Sequence, residues 1–178
     1  MAPSEEVDTG DQDDVSGVFS DETVFNDWIQ KTQMAVVRFC RQFVDDWSEA
    51  EDVAQEAYIR AWQKRNSFKG KSSLLTWQMA IARRVCLDYL RSRKRLTLLP
   101  LDESTAAPEH SIDTQIDVQK ALYKLNANDR IILYLRVGED MSFDETAQVL
   151  GKKAAACRKQ YERAKERFEA VYNGRKDN

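Results

Sequence analysis

The chain has 178 residues, with 27 Lys and Arg against 30 Asp and Glu, one His, three Cys, 42% hydrophobic and 32% charged residues. That length accommodates one ordinary domain or two small ones with real cores, and only three Pro and six Gly exclude a collagen-like or low-complexity chain and point to helices. The longest unbroken apolar run, Ile131 to Leu135, is five residues, far below the roughly 20 of a membrane-crossing helix, and no basic, apolar signal region opens the chain, so a cytoplasmic protein without membrane insertion is expected.

Residues 1 to 27 hold nine acids and no Lys or Arg, leaving +6 on the rest of the chain, 27 basic against 21 acidic. The first 20 residues lack periodicity and read as a disordered acidic extension, able to compete with nucleic acid for a basic surface. A first helix is expected from Ser20–Glu22 to about Asp46, with Val24, Trp28, Met34, Val37 and Phe43 as its apolar stripe. Ser48 and Glu51 form a capping-box pattern for a second helix to about Arg65, whose core face is Ala50, Val53, Ala57 and Ala61. Asn66 to Ser72, with Gly70, reads as a loop. From Ser73 the spacing of Leu75, Met79, Ala82, Cys86 and Tyr89 predicts one long helix to about Arg95.

Thr97 to Ser111 holds Pro100 and Pro108 without apolar period, and is expected to link two helical domains. A helix from about Asp113 to Leu125 follows, then one from Asp129 to Val137 closed by Gly138. Ser142 and Glu145 repeat the capping-box pattern for a short helix ending at Leu150, and Gly151 with two lysines turns the chain. Ala154, Cys157, Tyr161, Ala164, Phe168 and Val171 then set the buried face of a last helix. A short helix, a Gly-containing turn and a longer helix with a basic outer face is a helix-turn-helix pattern.

The cysteines, Cys40, Cys86 and Cys157, are odd in number and far apart in sequence, which excludes a disulfide framework or a CxxC metal knuckle. Each lies among helix-periodic apolar residues and reads as a buried thiol. His110 sits in a polar acidic stretch with no nucleophile at a useful spacing. Neither a catalytic group nor a metal or other cofactor is expected.

Charge is segregated. Tyr58 to Arg95 carries eleven basic residues and one acid, Asp88, and Gly151 to Asn178 carries nine basic and four acidic residues. Between them Leu96 to Gln119 has five acids and no Lys or Arg. On the long helix Trp77, Arg84, Asp88, Arg91 and Arg95 share the side opposite the core stripe, where guanidinium groups suit a phosphate backbone and Trp77 an unstacked base. On the last helix Arg158, Lys159, Arg163, Lys165 and Arg167 are expected to point outward, with Lys152 and Lys153 at its N-terminus. The outer face of the second helix differs: Asp52, Gln55, Glu56 and Ile59 place acids and an amide around an exposed apolar residue, a composition for a protein partner.

The run Ser48 to Trp62 (SEAEDVAQEAYIRAW), followed by Phe68 to Trp77 (FKGKSSLLTW) and Ile81 to Arg91 (IARRVCLDYLR), resembles region 2 of the extracytoplasmic-function sigma factors of bacterial RNA polymerase. Leu125 to Phe168, with Met141 to Gly151 (MSFDETAQVLG), resembles their region 4, and the two regions so placed, 21–95 and 113–173, cover roughly three quarters of the chain. The resemblance implies an all-α protein of two small domains, region 2 over 21–95 and region 4 over 113–173, joined by a flexible linker over 96–112. It implies that Asp52, Gln55 and Glu56, with Ile59, dock on the clamp helices of the largest subunit of core polymerase. It implies that Asn66, Phe68, Lys69, Lys71, Trp77, Arg84 and Arg91 recognise and melt the minus-ten promoter element, and that Lys153, Ala155, Ala156, Lys159, Gln160 and Arg163 face the minus-thirty-five element. Region 4 would also meet the flap of the second subunit, the acidic linker would run through the polymerase channels, and an anti-sigma factor is a further partner of such proteins. The run Ala156 to Gln160 (ACRKQ) departs from the family's usual Thr-Val-Lys-Ser-Arg, so base preferences do not transfer. Two other classes compete with an alternative sigma factor: a stand-alone helix-turn-helix regulator, which would need a dimer stripe, and a protein-binding helical adaptor, which leaves +10 within Tyr58 to Arg95 unexplained.

Overall fold

The computed structural model describes residues 21–44, 46–97 and 114–174, without the side chains of 94–97 and 114–117. The expected acidic extension over 1–20, the linker from 98 onward, His110 and the side chain of Arg95 lie outside the described residues. All regular structure among the described residues is helical: α1 Glu22–Cys40, α2 Trp47–Gln63, a 3-10 turn Arg65–Ser67, α3 Leu74–Thr97, α4 Thr114–Tyr123, α5 Ala127–Leu133, a π turn Tyr134–Gly138, α6 Phe143–Leu150 and α7 Ala154–Asn173.

α1 starts where the Asp21 carboxylate accepts from the Thr23 amide at 2.9 Å, a capping bond that satisfies one of the helix's free N–H groups. It ends at Cys40, six residues earlier than expected, and a tight turn follows in which the Arg41 guanidinium donates to the Val44 carbonyl at 2.8 Å. Its buried residues are Phe25, Val36, Phe39 and Cys40, whereas Val24 and Met34 are exposed. Of the expected stripe, Trp28, Val37 and Phe43 pack against the core, while Val24 and Met34 give way to Phe25, Val36 and Phe39. α1 is apolar around more than half its girth, and its neighbours choose which part is covered: Phe25 packs on Trp62 at 4.9 Å between ring centroids, and Phe39 lies 6.2 Å from Tyr134.

α2 starts one residue earlier than expected. Asp46 takes the N-cap by accepting from the Glu49 amide at 2.9 Å, and Glu51 accepts from the Trp47 indole N–H at 2.8 Å, so no Ser48–Glu51 capping box forms. Ala50, Val53, Ala57 and Ala61 are buried as expected. Thr32 and Tyr58 join α1 to α2 through a 2.8 Å hydroxyl contact.

α3 packs against α1, α2 and α6. Its expected core residues Met79, Ala82 and Cys86 are buried, and so are Leu74, Thr76, Gln78, Ile81 and Val85. At 100° per residue Thr76 lies well round from Leu74, Ile81 and Val85, and it is covered because α6 packs there: its hydroxyl donates to Glu145 at 3.4 Å. Cys40 and Cys86 meet in this core as a hydrogen-bonded pair of buried thiols. That bond and the burial hold the Cys40 thiol far above its usual range, and burial also raises Cys157, so Cys40 and Cys157 are packed as neutral side chains.

α5 is capped by Asn126, whose side chain accepts from the Asp129 amide at 3.0 Å. The helix expected to continue to Val137 opens instead into the π turn, where the Glu139 amide donates to the Tyr134 carbonyl. Gly138 does not adopt a positive φ; a Cβ there would lie 3.2 Å from the Tyr134 ring, so the glycine makes room for that ring. The Ser142–Glu145 capping box is complete: the Glu145 amide donates to Ser142 Oγ at 3.2 Å and the Ser142 amide to Glu145 Oε2 at 2.8 Å. Gly151, at φ +63°, closes α6 in the left-handed conformation that glycine adopts at no steric cost. Cys157 and Ala164 of α7 are buried, while Ala154, Tyr161, Phe168 and Val171 pack at the edge of the same core.

Candidate polymerase and nucleic-acid interfaces

Asp52, Gln55, Glu56 and Ile59 lie along one side of α2, at the i, i+3, i+4, i+7 spacing that aligns residues on a helix. Asp52, Gln55 and Ile59 are exposed and Glu56 is half-buried. Beside them α1 and α2 leave a cleft lined by Ile29, Met34, Trp47, Asp52, Gln55 and Ile59, among others. Its lining includes Glu22, Glu51 and Asp52 and no Lys or Arg. An apolar floor with an acidic rim suits a partner helix with an apolar stripe and basic flanks.

The second face follows α2. Asn66, Lys69 and Lys71 are exposed in the 3-10 turn and the loop after it, where Gly70 has φ +64°. Phe68 and Trp77, both half-buried, pack at 5.3 Å between centroids with a 59° tilt. Arg84 and Arg91 are exposed farther along α3, one and two double turns beyond Trp77. The structure thus places an aromatic pair at one end of α3 and exposed guanidinium groups farther along it.

Two charged residues of this region were not singled out from sequence for what they do. Arg60 bonds Glu56 at 2.7 Å and crosses to Asp88 of α3 at 3.1 Å, and Asp88 also holds Arg91 at 3.2 Å. The two carboxylates raise the already high pKa of Arg60, Glu56 first. The Glu-to-Arg i, i+4 and Asp-to-Arg i, i+3 spacings were visible signals of the two local pairs; the bond between helices was not. Arg65 is also occupied, with its guanidinium 4.5 Å over the Trp62 ring.

The third face is the N-terminal half of α7. Lys153 is exposed at the N-cap, and Ala155, Ala156, Lys159 and Arg163 are exposed on the helix away from the buried Cys157 and Ala164. Gln160 is at the edge of this group and is engaged: its amide N–H donates to the Asn128 carbonyl at 2.8 Å, and its oxygen accepts from Lys152 at 2.6 Å. Two of the outward arginines are held by the fold. Arg158 lies 4.9 Å from the Phe143 ring, which Arg136 also covers at 4.4 Å, and Arg167 donates at 2.6 Å to the buried carboxylate of Asp129. Among the described residues no cluster of three or more His, Cys, Asp or Glu could hold a metal ion, and no helix is long and apolar enough to cross a membrane.

Two family models match the chain, Sigma-70 region 2 over residues 28–96 and Sigma-70, region 4 over residues 115–168. The chain belongs to the sigma-70 family. Within it the relatives are RNA polymerase sigma factors, several of them named as ECF factors. The sigma-C factor of Mycobacterium tuberculosis is 31% identical over 151 residues, 78% of this chain and 78% of the relative. The RNA polymerase sigma-H factor of Pseudomonas aeruginosa is 28% identical over 166 residues, covering 82% and 84%. The probable sigma factor RfaY of Xanthomonas campestris is 30% identical over 147 residues, and this chain spans 36% of its length. Among solved structures, the sigma factor RpoE in complex with the anti-sigma factor NepR from Bartonella quintana has a TM-score of 0.69 at 24% identity, covering 84% of this chain and 96% of that one. CnrH in complex with the cytosolic domain of CnrY has a TM-score of 0.66 at 21% identity, covering 90% and 94%. This sigma factor thus has the two-domain fold expected of an alternative sigma factor, all helical among the described residues, with α2 and most of α1 and α3 in the region 2 match and α5, α6 and most of α4 and α7 in the region 4 match.

Proposed function

We propose that this sigma factor binds core RNA polymerase through Asp52, Gln55, Glu56 and Ile59, directs it to a subset of promoters, and opens them, with no catalytic residue of its own. The α2 face docks on the clamp helices of the largest subunit. Asn66, Phe68, Lys69, Lys71, Trp77, Arg84 and Arg91 take the minus-ten element as a single strand, with Phe68 and Trp77 as the stacking end and the arginines on phosphate. Lys153, Ala155, Ala156, Lys159 and Arg163 face the major groove of the minus-thirty-five element, and Gln160, bonded to Asn128, sets the depth of the helix rather than reading a base freely. Region 4 also meets the flap of the second subunit. The domains run over 21–95 and 113–173. An anti-sigma factor belongs to the same reading, because the RpoE structure of this fold named above carries one.

The observation that carries the proposal is the separation of surface chemistry: an acidic and apolar face on α2, and two basic faces on α3 and α7, all exposed at once. A self-sufficient DNA binder has no use for the first. Run-off transcription with purified core polymerase tests it. Promoter-specific transcripts that need both the sigma factor and core enzyme are expected, and tight sequence-specific binding to promoter duplex by the isolated chain would overturn it.

A further inference from the structure

Four charged side chains run in an unbroken series across region 2. Glu56 Oε1 meets Arg60 Nε at 2.7 Å, Arg60 Nη1 meets Asp88 Oδ2 at 3.1 Å, and Asp88 Oδ1 meets Arg91 Nη1 at 3.2 Å. Each inner member is shared. Arg60 uses separate nitrogens for its two carboxylates, and Asp88 uses separate oxygens for its two guanidinium groups. The series starts on the α2 face and ends on the α3 face, and Asp88 is the only acid between Tyr58 and Arg95.

We propose that Arg60 and Asp88 are positioning residues that couple the two faces: when a cationic group of a partner takes Glu56, Arg60 moves its whole charge onto Asp88, and Arg91 is released toward nucleic-acid phosphate. This rests on the reading of Glu56 as a polymerase contact and of Arg91 as a DNA contact. The physical argument is competition for a limited number of acceptors. With Glu56 available, Arg60 divides its donors, and Asp88 retains an oxygen and much of its charge for Arg91. With Glu56 occupied elsewhere, Arg60 approaches Asp88 with its full fork, the arrangement in which guanidinium and carboxylate bind best. Arg91, the most exposed member at 70%, then loses its local counter-charge. Exposed pairs of this kind are individually weak, so the coupling should read as a change of about two- to fivefold in nucleic-acid affinity rather than as an on-off switch.

The test uses the full chain. Glu56→Gln stands for an occupied Glu56, because it removes the carboxylate charge at constant shape. The Nε–Hε signals of Arg60 and Arg91 are followed by NMR in the wild type, Glu56→Gln, Asp88→Asn and the double variant, and the same four proteins are titrated with a fluorescent single-stranded oligonucleotide at low salt. Glu56→Gln is expected to shift the Arg91 signal and tighten oligonucleotide binding two- to fivefold, with both effects lost in the Asp88→Asn background. Arg60→Lys, which keeps the charge without the fork, should abolish the Glu56 effect as well. An equal effect of Glu56→Gln with and without Asp88 would reduce it to a general loss of negative charge and overturn the coupling, as would an Arg91 signal indifferent to Glu56. If the Arg91 signal responds as expected while no form binds the oligonucleotide, the coupling stands and the DNA reading of Arg91 fails.

Discussion

The hydroxyl of Tyr134 lies 2.8 Å from the carbonyl oxygen of Ala35, joining the π turn of region 4 to α1 of region 2. Around it Arg130 donates to the Gln42 carbonyl at 3.2 Å, Arg41 meets the Tyr123 hydroxyl, and Thr76 meets Glu145. Promoter elements centred near minus ten and minus thirty-five are about 25 base pairs apart, roughly 85 Å at ~3.4 Å per base pair. Two domains in direct hydrogen-bonded contact do not span that distance, so the proposed placement of region 2 on the minus-ten and region 4 on the minus-thirty-five element predicts that this contact opens on promoter binding.

Tyr134→Phe removes the single hydroxyl proton that the Ala35 carbonyl and the Glu139 carboxylate share, while keeping the ring against Phe39. It should weaken domain contact by about 1 kcal/mol, the usual net worth of one hydrogen bond. Small-angle scattering of the isolated protein should then show a larger radius of gyration than the wild type, and energy transfer between labels on α2 and α7 should fall.

Alkaline pH should act on the same contact. Burial, and then the hydrogen bond to Glu139, raise the Tyr134 phenol above its ordinary value of 10.0, and burial likewise raises Tyr58. A phenol whose pKa is raised by folding contributes stability that is complete below about pH 10 and declines as pH rises beyond it, because the unfolded chain loses the proton first. Tyrosine 13Cζ titration should show Tyr58 and Tyr134 deprotonating above the ordinary range of a phenol, with unfolding free energy falling over the same range.

Docking and promoter opening should separate by mutation. Reversing the charge of Asp52 and Glu56 together should weaken binding to core polymerase tenfold or more, about 1.4 kcal/mol. Arg84→Ala with Arg91→Ala should leave that binding within about twofold and lower open-complex formation, read by permanganate reactivity of the melted strand. Equal losses from both pairs in a core-polymerase binding assay would contradict the division of faces.

Asp129 should prove a stability residue of region 4. Its carboxylate is 4% exposed and accepts from Arg167 at 2.6 Å and from the Asn126 amide at 2.7 Å. Arg167→Ala leaves a buried acceptor short of its charged partner, at a cost of roughly 1–3 kcal/mol. Urea denaturation should show the loss, whereas Lys159→Ala, on the exposed side of the same helix, should change stability by less than about 0.5 kcal/mol.

Much of region 4 was legible in local spacing. α7 has one apolar stripe and α6 a capping pattern whose two partners are three residues apart, and a helix with one covered face shows that face in its own periodicity. The same holds for the alanine face of α2 and for the outward side of α3, where Arg84 and Arg91 are exposed as expected, although Trp77 is half-buried against the core. α1 was misread because Val24 and Met34 match the helical period as well as Phe25, Val36 and Phe39 do, and only the positions of α2, α3 and Tyr134 select between them. Thr76 is buried for the same reason, by a helix about seventy residues away in sequence. Local pattern determined the number of helices, their order, the outward basic faces and the helix-turn-helix. Tertiary structure decided which side of α1 is core, that Arg167 and Gln160 are held by the fold, that regions 2 and 4 touch, and that Arg60 and Asp88 join two functional faces. Those outcomes depend on pairs of residues distant in the chain, and the periodicity of a single helix carries no record of its neighbours.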